Sequence, residues 1–404
     1  MFECKQGGLT NTAMKIKNLS RAISISIIWV ILLMLTGCWD RREINDVAFV
    51  LAGGADKEGD NIRISVLIPL TGNMGDSGGG GGSGGQKPYS IKTETGKTVS
   101  EAVSKLQSRL SRHLFFGHRR VIIVGEELAR TGGIETVIDA ITRTPEKRLS
   151  TFIAVSEGSA LDMLNADTRL ERFSAESMRE ELQSETSAGI NLKEILYKLI
   201  SIGDDAYFPY VQKVKTKIEG QESEDIRSDG FVLFHNGRMT GELTGNSALG
   251  FRLLNQSIRN YDETINIDGS YLTVSINQAK ISIKPIVKNE ELSYRIHSRV
   301  KVSIREDKNL ERNYSYSEQR YQIEQSIAQH VVDNINLAIN KMQQNNSDAI
   351  GFGLQAYRAY PKIWTTKYRK DWDELFPKIK FEVTGEANVF RLGMSSENLG
   401  KKDN

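Results

Sequence analysis

A cationic start, a short apolar run and one cysteine decide in which compartment this chain folds. Lys15, Lys17 and Arg21 precede an apolar stretch over residues 22–35, which runs into Leu35-Thr36-Gly37-Cys38. The stretch is 14 residues long, short of the roughly 20 that a membrane-spanning helix needs. A basic segment, a short apolar core and small residues before a cut site are the layout of an export signal. The cysteine at the cut adds a second constraint. Leu-Thr-Gly-Cys is a lipobox, in which the Cys38 thiol takes a diacylglyceryl group and becomes the new N-terminus. An ordinary signal with a chance cysteine is the bland alternative. Residues 1–37 are therefore expected to be a lipoprotein signal peptide. Residues 1–13 fit neither its charged nor its apolar part, which points to Met14 as the start.

Export leaves the mature chain with no covalent staples. Of the two cysteines, Cys4 leaves with the signal and Cys38 is acylated, so neither a disulfide framework nor a cysteine-based metal site can form. Core burial must hold the fold, and 367 residues suffice for that. The signal also takes four of the 53 Lys and Arg and one of the 51 Asp and Glu. The mature chain thus carries a net charge of about −1, without the global basic field that would hold nucleic acid.

After the anchor, residues 44–53 read as a first strand, and residues 61–70 alternate apolar and polar as a strand with one buried face. Residues 72–85 include Gly78-Gly79-Gly80-Gly81-Gly82-Ser83-Gly84-Gly85, which can bury nothing and predicts a floppy loop inside a domain. Gly96-Lys97-Thr98 suggests a phosphate-binding loop, but that motif needs glycine at position 91, where Ile91 stands. Thr98 capping a helix, with Glu101 closing a capping box, explains the same residues. Val99, Val103, Leu106, Leu110 and Leu114 form that helix's apolar stripe. Residues 121–124 and 152–155 are wholly apolar, as strands covered on both faces are, and Ile134, Val137, Ile138 and Ile141 return to helical spacing between them. Alternation of helix and strand implies an α/β layered N-terminal domain over 38–214.

Arg109, Arg112, Arg119 and Arg120 are expected at helix and strand ends, solvated or paired, with an anionic lipid or acidic partner as the alternative. His113 and His118 lack a carboxylate at ligand spacing. Residues 215–229 are polar and charged and predict a linker. Asp204-Asp205 and Glu224-Asp225 are adjacent pairs that cannot aim at one reacting atom, and a solvated surface is expected for both.

Further on, His235-Asn236-Gly237 is a hairpin turn. Residues 270–287 and 291–304 form a second, longer hairpin. A helix over 317–344, about 40 Å long, carries the stripe Ile323, Ile327, Val331, Ile335, Ile339 and Met342, expected to pack on the preceding sheet. Trp364, Trp372 and Phe376 are candidates for an aromatic cluster, and residues 378–390 for a last strand. The fold class is α+β, multi-domain, with mixed sheets flanked by helices, and residues 230–404 form an α+β region with a further division near 270 left open.

These landmarks together resemble one family. Leu35-Thr-Gly-Cys-Trp-Asp-Arg-Arg-Glu-Ile-Asn-Asp46, the glycine-rich loop and Leu114-Phe-Phe-Gly-His-Arg-Arg-Val-Ile-Ile-Val-Gly-Glu-Glu-Leu-Ala129 are similar to the Ger(x)C lipoproteins, the C subunits of germinant receptors in endospore-forming bacteria. The likeness continues through Arg143-Thr-Pro-Glu-Lys-Arg148, Gly230-Phe-Val-Leu-Phe234, Gly241-Glu-Leu-Thr-Gly245, Gly351-Phe-Gly353, Pro361-Lys-Ile-Trp364 and Trp372. The resemblance implies three domains, a lipid anchor at Cys38, a place on the outer face of the spore's inner membrane, and assembly with A-type and B-type integral-membrane subunits in nutrient-triggered germination. No nucleophile–base pair, metal-ligand spacing or cofactor loop is present, so a non-enzymatic subunit without cofactor is expected. The rival is a solute-binding lipoprotein of a transporter, which would show two similar α/β lobes around a cleft.

Overall fold

In the computed structural model the residues described are 18–19, 21–30, 43–70, 87–144, 146, 148–168, 171–184, 189–218, 221–258, 260–309, 311–312, 314 and 316–391. Cys38 and the glycine-rich stretch 72–85 lie outside them. Residues 1–47 form one unit, in which 21–30 is helical and Ile44–Asp46 makes a single tight turn. Everything that follows concerns the second unit, residues 48–404.

In chain order the elements are β1 (Val47–Phe49), β2 (Ala52–Glu58), β3 (Asn61–Pro69), β4 (Tyr89–Gly96), α1 (Val99–Ser108), β5 (His113–Phe115), β6 (Val121–Gly125), α2 (Glu126–Arg130), α3 (Ile134–Thr142), β7 (Phe152–Ser156), α4 (Ala160–Leu164), α5 (Ser174–Gln183), β8 (Ile190–Asn191) and α6 (Leu192–Ile200). They continue with β9 (Tyr207–Ile218), β10 (Gln221–His235), β11 (Arg238–Leu243), α7 (Asn246–Leu254), β12 (Tyr261–Ile267), β13 (Ser270–Lys288), β14 (Glu291–Asp307), α8 (Ser317–Gln344), α9 (Phe352–Ala359) and, after short helical turns, β15 (Lys380–Arg391).

The first sheet has nine strands in the order β11-β10-β9-β7-β6-β2-β3-β4, with β8 added beside β7. Its centre is parallel: β2 on β6, β6 on β7, β7 on β9. Antiparallel hairpins extend it on both sides. The central strands are apolar throughout because helices cover both faces. Ile122 and Val124 point to the face where Val99, Leu106, Val137 and Ile141 pack, while Val121 and Ile123 meet Met163, Leu164, Met178 and Leu182 on the other. Thr98 caps α1 by accepting from the Glu101 N–H at 3.1 Å, and the Glu101 carboxylate reaches back to the Lys97 N–H at 2.8 Å. The helix stops at Ser108, so Leu110 and Leu114 of its expected stripe lie beyond it, Leu114 on β5.

Residues 215–229, expected to be a linker, are instead strand: 215–218 belong to β9 and 221–229 to β10, and the sheet runs on through β11. The pairing is held by charge across the strands as well as by burial of Ile226. Lys213 binds Glu224 at 3.2 Å, and Lys215 stands opposite Glu224 in the register. Opposite charges across the ribbon stabilise its pairing on the exposed side, while Ile226 and Ser228 are buried on the other.

The second sheet is four-stranded, β12-β13-β14-β15. Two-residue turns make its hairpins, with Asp268 and Gly269 and then Asn289 and Glu290 at positive φ, as such turns require. The last strand does not continue the meander. β15 pairs parallel to β14, and α8 is the long crossover that a parallel neighbour needs. The α8 stripe Ile323, Ile327, Val331, Ile335, Ile339 and Met342 is buried, as expected. One face of α8 lies on this sheet. Another meets α7 closely enough that a Cβ on Gly250 would sit 1.9 Å from the Asn334 carbonyl oxygen. The outer face of the sheet is a charged ladder, with Arg295 on Glu382 at 2.9 Å and Arg299 on Glu386 at 3.0 Å. The two sheets differ in strand number, order and helix cover, unlike the paired lobes of a solute-binding protein. One apolar cluster nevertheless runs from α1 and α3 through α7 to α8.

Candidate functional site

Four segments that are distant in sequence are tied together where the two sheets meet. The first is the exit of α6. Gly203 takes φ +64, and a side chain there would meet the Trp364 ring and the Gly353 Cα at 2.9 Å, so the chain can bend sharply only with glycine at this point. The bend delivers Asp204 and Asp205 to the start of β9. Asp204 is buried and bound by Lys198 at 2.6 Å, and the same ammonium donates to the Ala349 carbonyl at 3.0 Å. Asp205 accepts from the Asp348 N–H at 2.9 Å and lies 3.3 Å from His235 Nδ1, while its own N–H donates to the Asp348 carbonyl at 3.0 Å.

Asp348, one per cent exposed, accepts from the Phe352 and Gly353 N–H groups at 2.8 and 2.7 Å, which fixes the start of α9. Beside it Ser347 donates to the Phe234 carbonyl at 2.6 Å, and the Leu354 N–H donates to the Gly203 carbonyl at 3.0 Å. His235, at the end of β10, also comes within 3.5 Å of Asp373 through Nε2. The fourth segment is aromatic: Trp364 and Trp372 sit 4.9 Å apart, edge to face, Trp372 and Phe376 5.8 Å apart, and Phe352 stacks on Phe376.

Burial sets the protonation of this cluster. It pushes the Asp348 carboxyl up to about 8 against its two N–H donors, and the neighbouring Asp204 and Asp205 charges add to the rise. Burial likewise raises Asp204, opposed by Lys198. The hydrogen bond to Asp205 raises His235 above the usual imidazole value. A cavity of about 170 Å³ is lined by Glu135, Asp204, Asp205 and His235, and Lys198 and Asp204 also border a larger one of about 530 Å³ beside Glu194 and Tyr207. Asp204, Asp205 and Asp348 are each engaged in holding backbone or a counter-charge. The arrangement can take up and release protons while coupling four segments.

A larger polar cleft, about 420 Å³, opens at the carboxyl ends of β2, β6 and β7, where α/β sheets commonly take ligands. Its acids are used internally. Buried Asp56 accepts from the Ala160 and Leu161 N–H groups at 2.6 and 3.0 Å and from the Ser159 hydroxyl at 3.2 Å, with Arg63 at 3.3 Å. Glu126 binds Arg130 at 2.7 Å and accepts from the Tyr210 hydroxyl at 3.0 Å.

Asp204 and Asp205, expected on a solvated surface, are thus part of the junction, and Glu224 and Asp225 are strand residues rather than loop. The arginines divide. Arg109 pairs with Glu94 and Arg120 with Glu176, as expected, and Arg112 is exposed. Arg119 is buried against the Phe116 ring with Nε and Nη2 unpartnered, which lowers its pKa to about 10. His118 packs on the Phe49 and Phe115 rings. In sequence His235 reads only as part of a hairpin turn and Asp348 carries no expectation; the signal for Asp348 is an acid four residues ahead of a helix start at Phe352.

Comparison with known proteins places this architecture. The model for the spore germination protein N-terminal domain matches residues 40–213, and the model for the spore germination B3/GerAC-like C-terminal domain matches residues 229–393, so the distal part of the β9–β10 hairpin falls between them. The putative spore germination protein YfkR of Bacillus subtilis (strain 168) is 33% identical over 370 residues, covering 90% of this chain and 95% of that protein. Spore germination protein KC of the same organism is 26% identical over 391 residues, 90% of this chain and 93% of that protein. The crystal structure of the GerBC protein shares the fold, with a TM-score of 0.55 over 84% of this chain and 96% of that one at 17% identity. The mixed α+β architecture, both domain matches and the full-length relatives agree: the chain belongs to the Ger(x)C family of spore germination proteins.

Proposed function

We propose that this protein is the lipid-anchored, non-enzymatic C subunit of a germinant receptor. It acts on the outer face of the spore's inner membrane, with A-type and B-type integral-membrane subunits, in nutrient-triggered germination. The observation that carries this is full-length similarity to spore germination proteins in a chain whose N-terminus bears Leu35-Thr36-Gly37-Cys38. Among the described residues no helix is long and apolar enough to cross a membrane, and a chain of that kind acts at a bilayer through an anchor and partners. Tethering raises its effective concentration beside them. The polar groups of the junction and of the carboxyl-end cleft hold backbone and counter-charges, which suits a scaffold that couples segments.

Two measurements test this. Spores lacking the protein should fail to respond to the nutrients of one receptor and still germinate with agents that bypass receptors. Cys38→Ala should give an intact mass without lipid and an uncut signal or a released protein; an unchanged, lipidated mature mass would sink the anchor. Normal nutrient germination in its absence would remove the receptor assignment.

A further inference from the structure

At the opposite end of the first sheet from the Asp56 cleft, three arginines converge on an open pocket of about 300 Å³. Arg120 arrives from the turn before β6, Arg148 and Ser150 from the turn before β7, Arg179 and Gln183 from α5, and Asn191 from the cap of α6. The acids paired with these arginines are Glu176 and Glu180, both on α5. Glu176 lies 3.5 Å from Arg120 Nε and 2.7 Å from Arg179, and Glu180 is also held by Arg179, so three guanidiniums stand against two carboxylates.

The hydrogen-bond inventory is one-sided. Arg179 spends its donors on Glu176, Glu180 and Gln183. Arg148 uses only Nε, donating to the Ser150 hydroxyl oxygen at 2.9 Å, which leaves both of its terminal nitrogens and the Ser150 hydrogen unspent. Arg120 likewise keeps its terminal nitrogens. The acceptor oxygens of the two amides are taken: Gln183 Oε1 by Arg179 at 2.6 Å and Asn191 Oδ1 by the Glu194 N–H at 3.1 Å. The residues lining the pocket thus leave unspent donors from four segments.

We propose that this pocket binds a phosphate group, as inorganic phosphate or as the headgroup of an anionic phospholipid. A tetrahedral oxyanion presents several acceptors in different directions, and two forked guanidiniums with a hydroxyl and two amide N–H groups meet it from different sides. The lipid source has a geometric argument. The Arg120 N–H donates to the Leu51 carbonyl at 2.8 Å, so the pocket lies at the strand end where β2 begins. Only 13 residues lie between Cys38 and Ala52, a reach of at most about 50 Å. The lipid source therefore rests on the anchoring proposed above, whereas the phosphate site itself does not.

The test uses the full chain in detergent, titrated calorimetrically in phosphate-free buffer with inorganic phosphate, and separately with dihexanoyl-phosphatidylglycerol or dihexanoyl-phosphatidylcholine below their micelle concentrations. Saturable binding is expected, weakened about tenfold in Arg148→Gln and abolished in the Arg120→Gln/Arg148→Gln pair. Arg143→Gln, whose guanidinium pairs with Asp139 outside the pocket, should bind as the parent does. Arg148 is exposed and bonded only to Ser150, so its variant should melt as the parent does and separates a lost site from a lost fold. Tighter binding of phosphatidylglycerol than of inorganic phosphate assigns the lipid source, and the reverse order assigns free phosphate. No saturation with either, or equal binding by Arg148→Gln, overturns the proposal. The mass of the Cys38→Ala protein decides the anchor independently.

Discussion

The centre of the nine-stranded sheet and the outer half of the four-stranded sheet are built from the same kind of backbone pairing under opposite constraints. β6 is buried along its whole length, and each side chain is held by helices above or below. The β13–β14 hairpin is covered on one face only, and alternate residues on the other face form the arginine–glutamate ladder with β15. The first is held by apolar area and close packing, which tolerate no loss of volume. The second is held on its outer side by exposed ion pairs, each of small value. The comparison teaches that the irreplaceable residues of this protein lie at the sheet centre, at the helix crossing and at the junction, rather than on its conspicuous charged face.

Ile123→Ala should do the most damage. It removes a fully buried side chain between the core and the helices Ala160–Leu164 and Ser174–Gln183, and about 2–5 kcal/mol of stability should be lost, read as a shift in the urea midpoint. A loss under 1 kcal/mol would mean that the centre is not packed from both faces. Gly250→Ala comes next, at about 1–3 kcal/mol, because its methyl would collide with the Asn334 carbonyl of α8 and push the two helices apart. A neutral result would break the claim that α8 is pinned by α7 as well as by the sheet.

The junction gives a graded effect with a definite sign. Asp348 and His235 both have pKa values raised by the fold, so the native state holds more protons than the unfolded chain. Stability from Asp348 is therefore lost progressively as pH rises from about 4 to about 8. That from His235 is present below about 6.5 and is lost as pH climbs through its raised value. The slope is about 1.4 kcal/mol per pH unit for each proton. Melting curves across pH 5–9 should show this decline. Asp348→Asn should flatten its lower part and His235→Gln its upper part, and stability that rises with pH in this window would contradict the assignment. The smallest change belongs to the outer ladder, where Arg299→Ala should cost under about 1 kcal/mol and less in high salt.

Much of the architecture was legible because period and burial travel together. Residues 121–124 and 152–155 are apolar without alternation, which only a doubly covered strand requires, and the stripe from Ile323 to Met342 defines both a helix and its buried side. The β9–β10 ribbon reads as a linker in sequence because much of its pairing is charge across the two strands, and a single chain segment does not display its partner. The direction of β15 was likewise invisible, since parallel and antiparallel edges share one residue pattern.

By itself the sequence determined the α+β class, the hairpin turn at His235-Asn236-Gly237 and the family. These are local or compositional facts, set by side-chain chemistry and by spacings of two or 3.6 residues. Only the tertiary structure decided that Asp204, Asp205, His235 and Asp348 share one part-buried cluster, that Gly250 and Asn334 touch, and that Arg120, Arg148 and Arg179 open on one pocket. The physical reason is range. Charge desolvation, backbone close approach and convergent donors depend on distances between segments up to about 150 residues apart, from Lys198 to Ala349, and folding sets those distances through packing that no local pattern encodes.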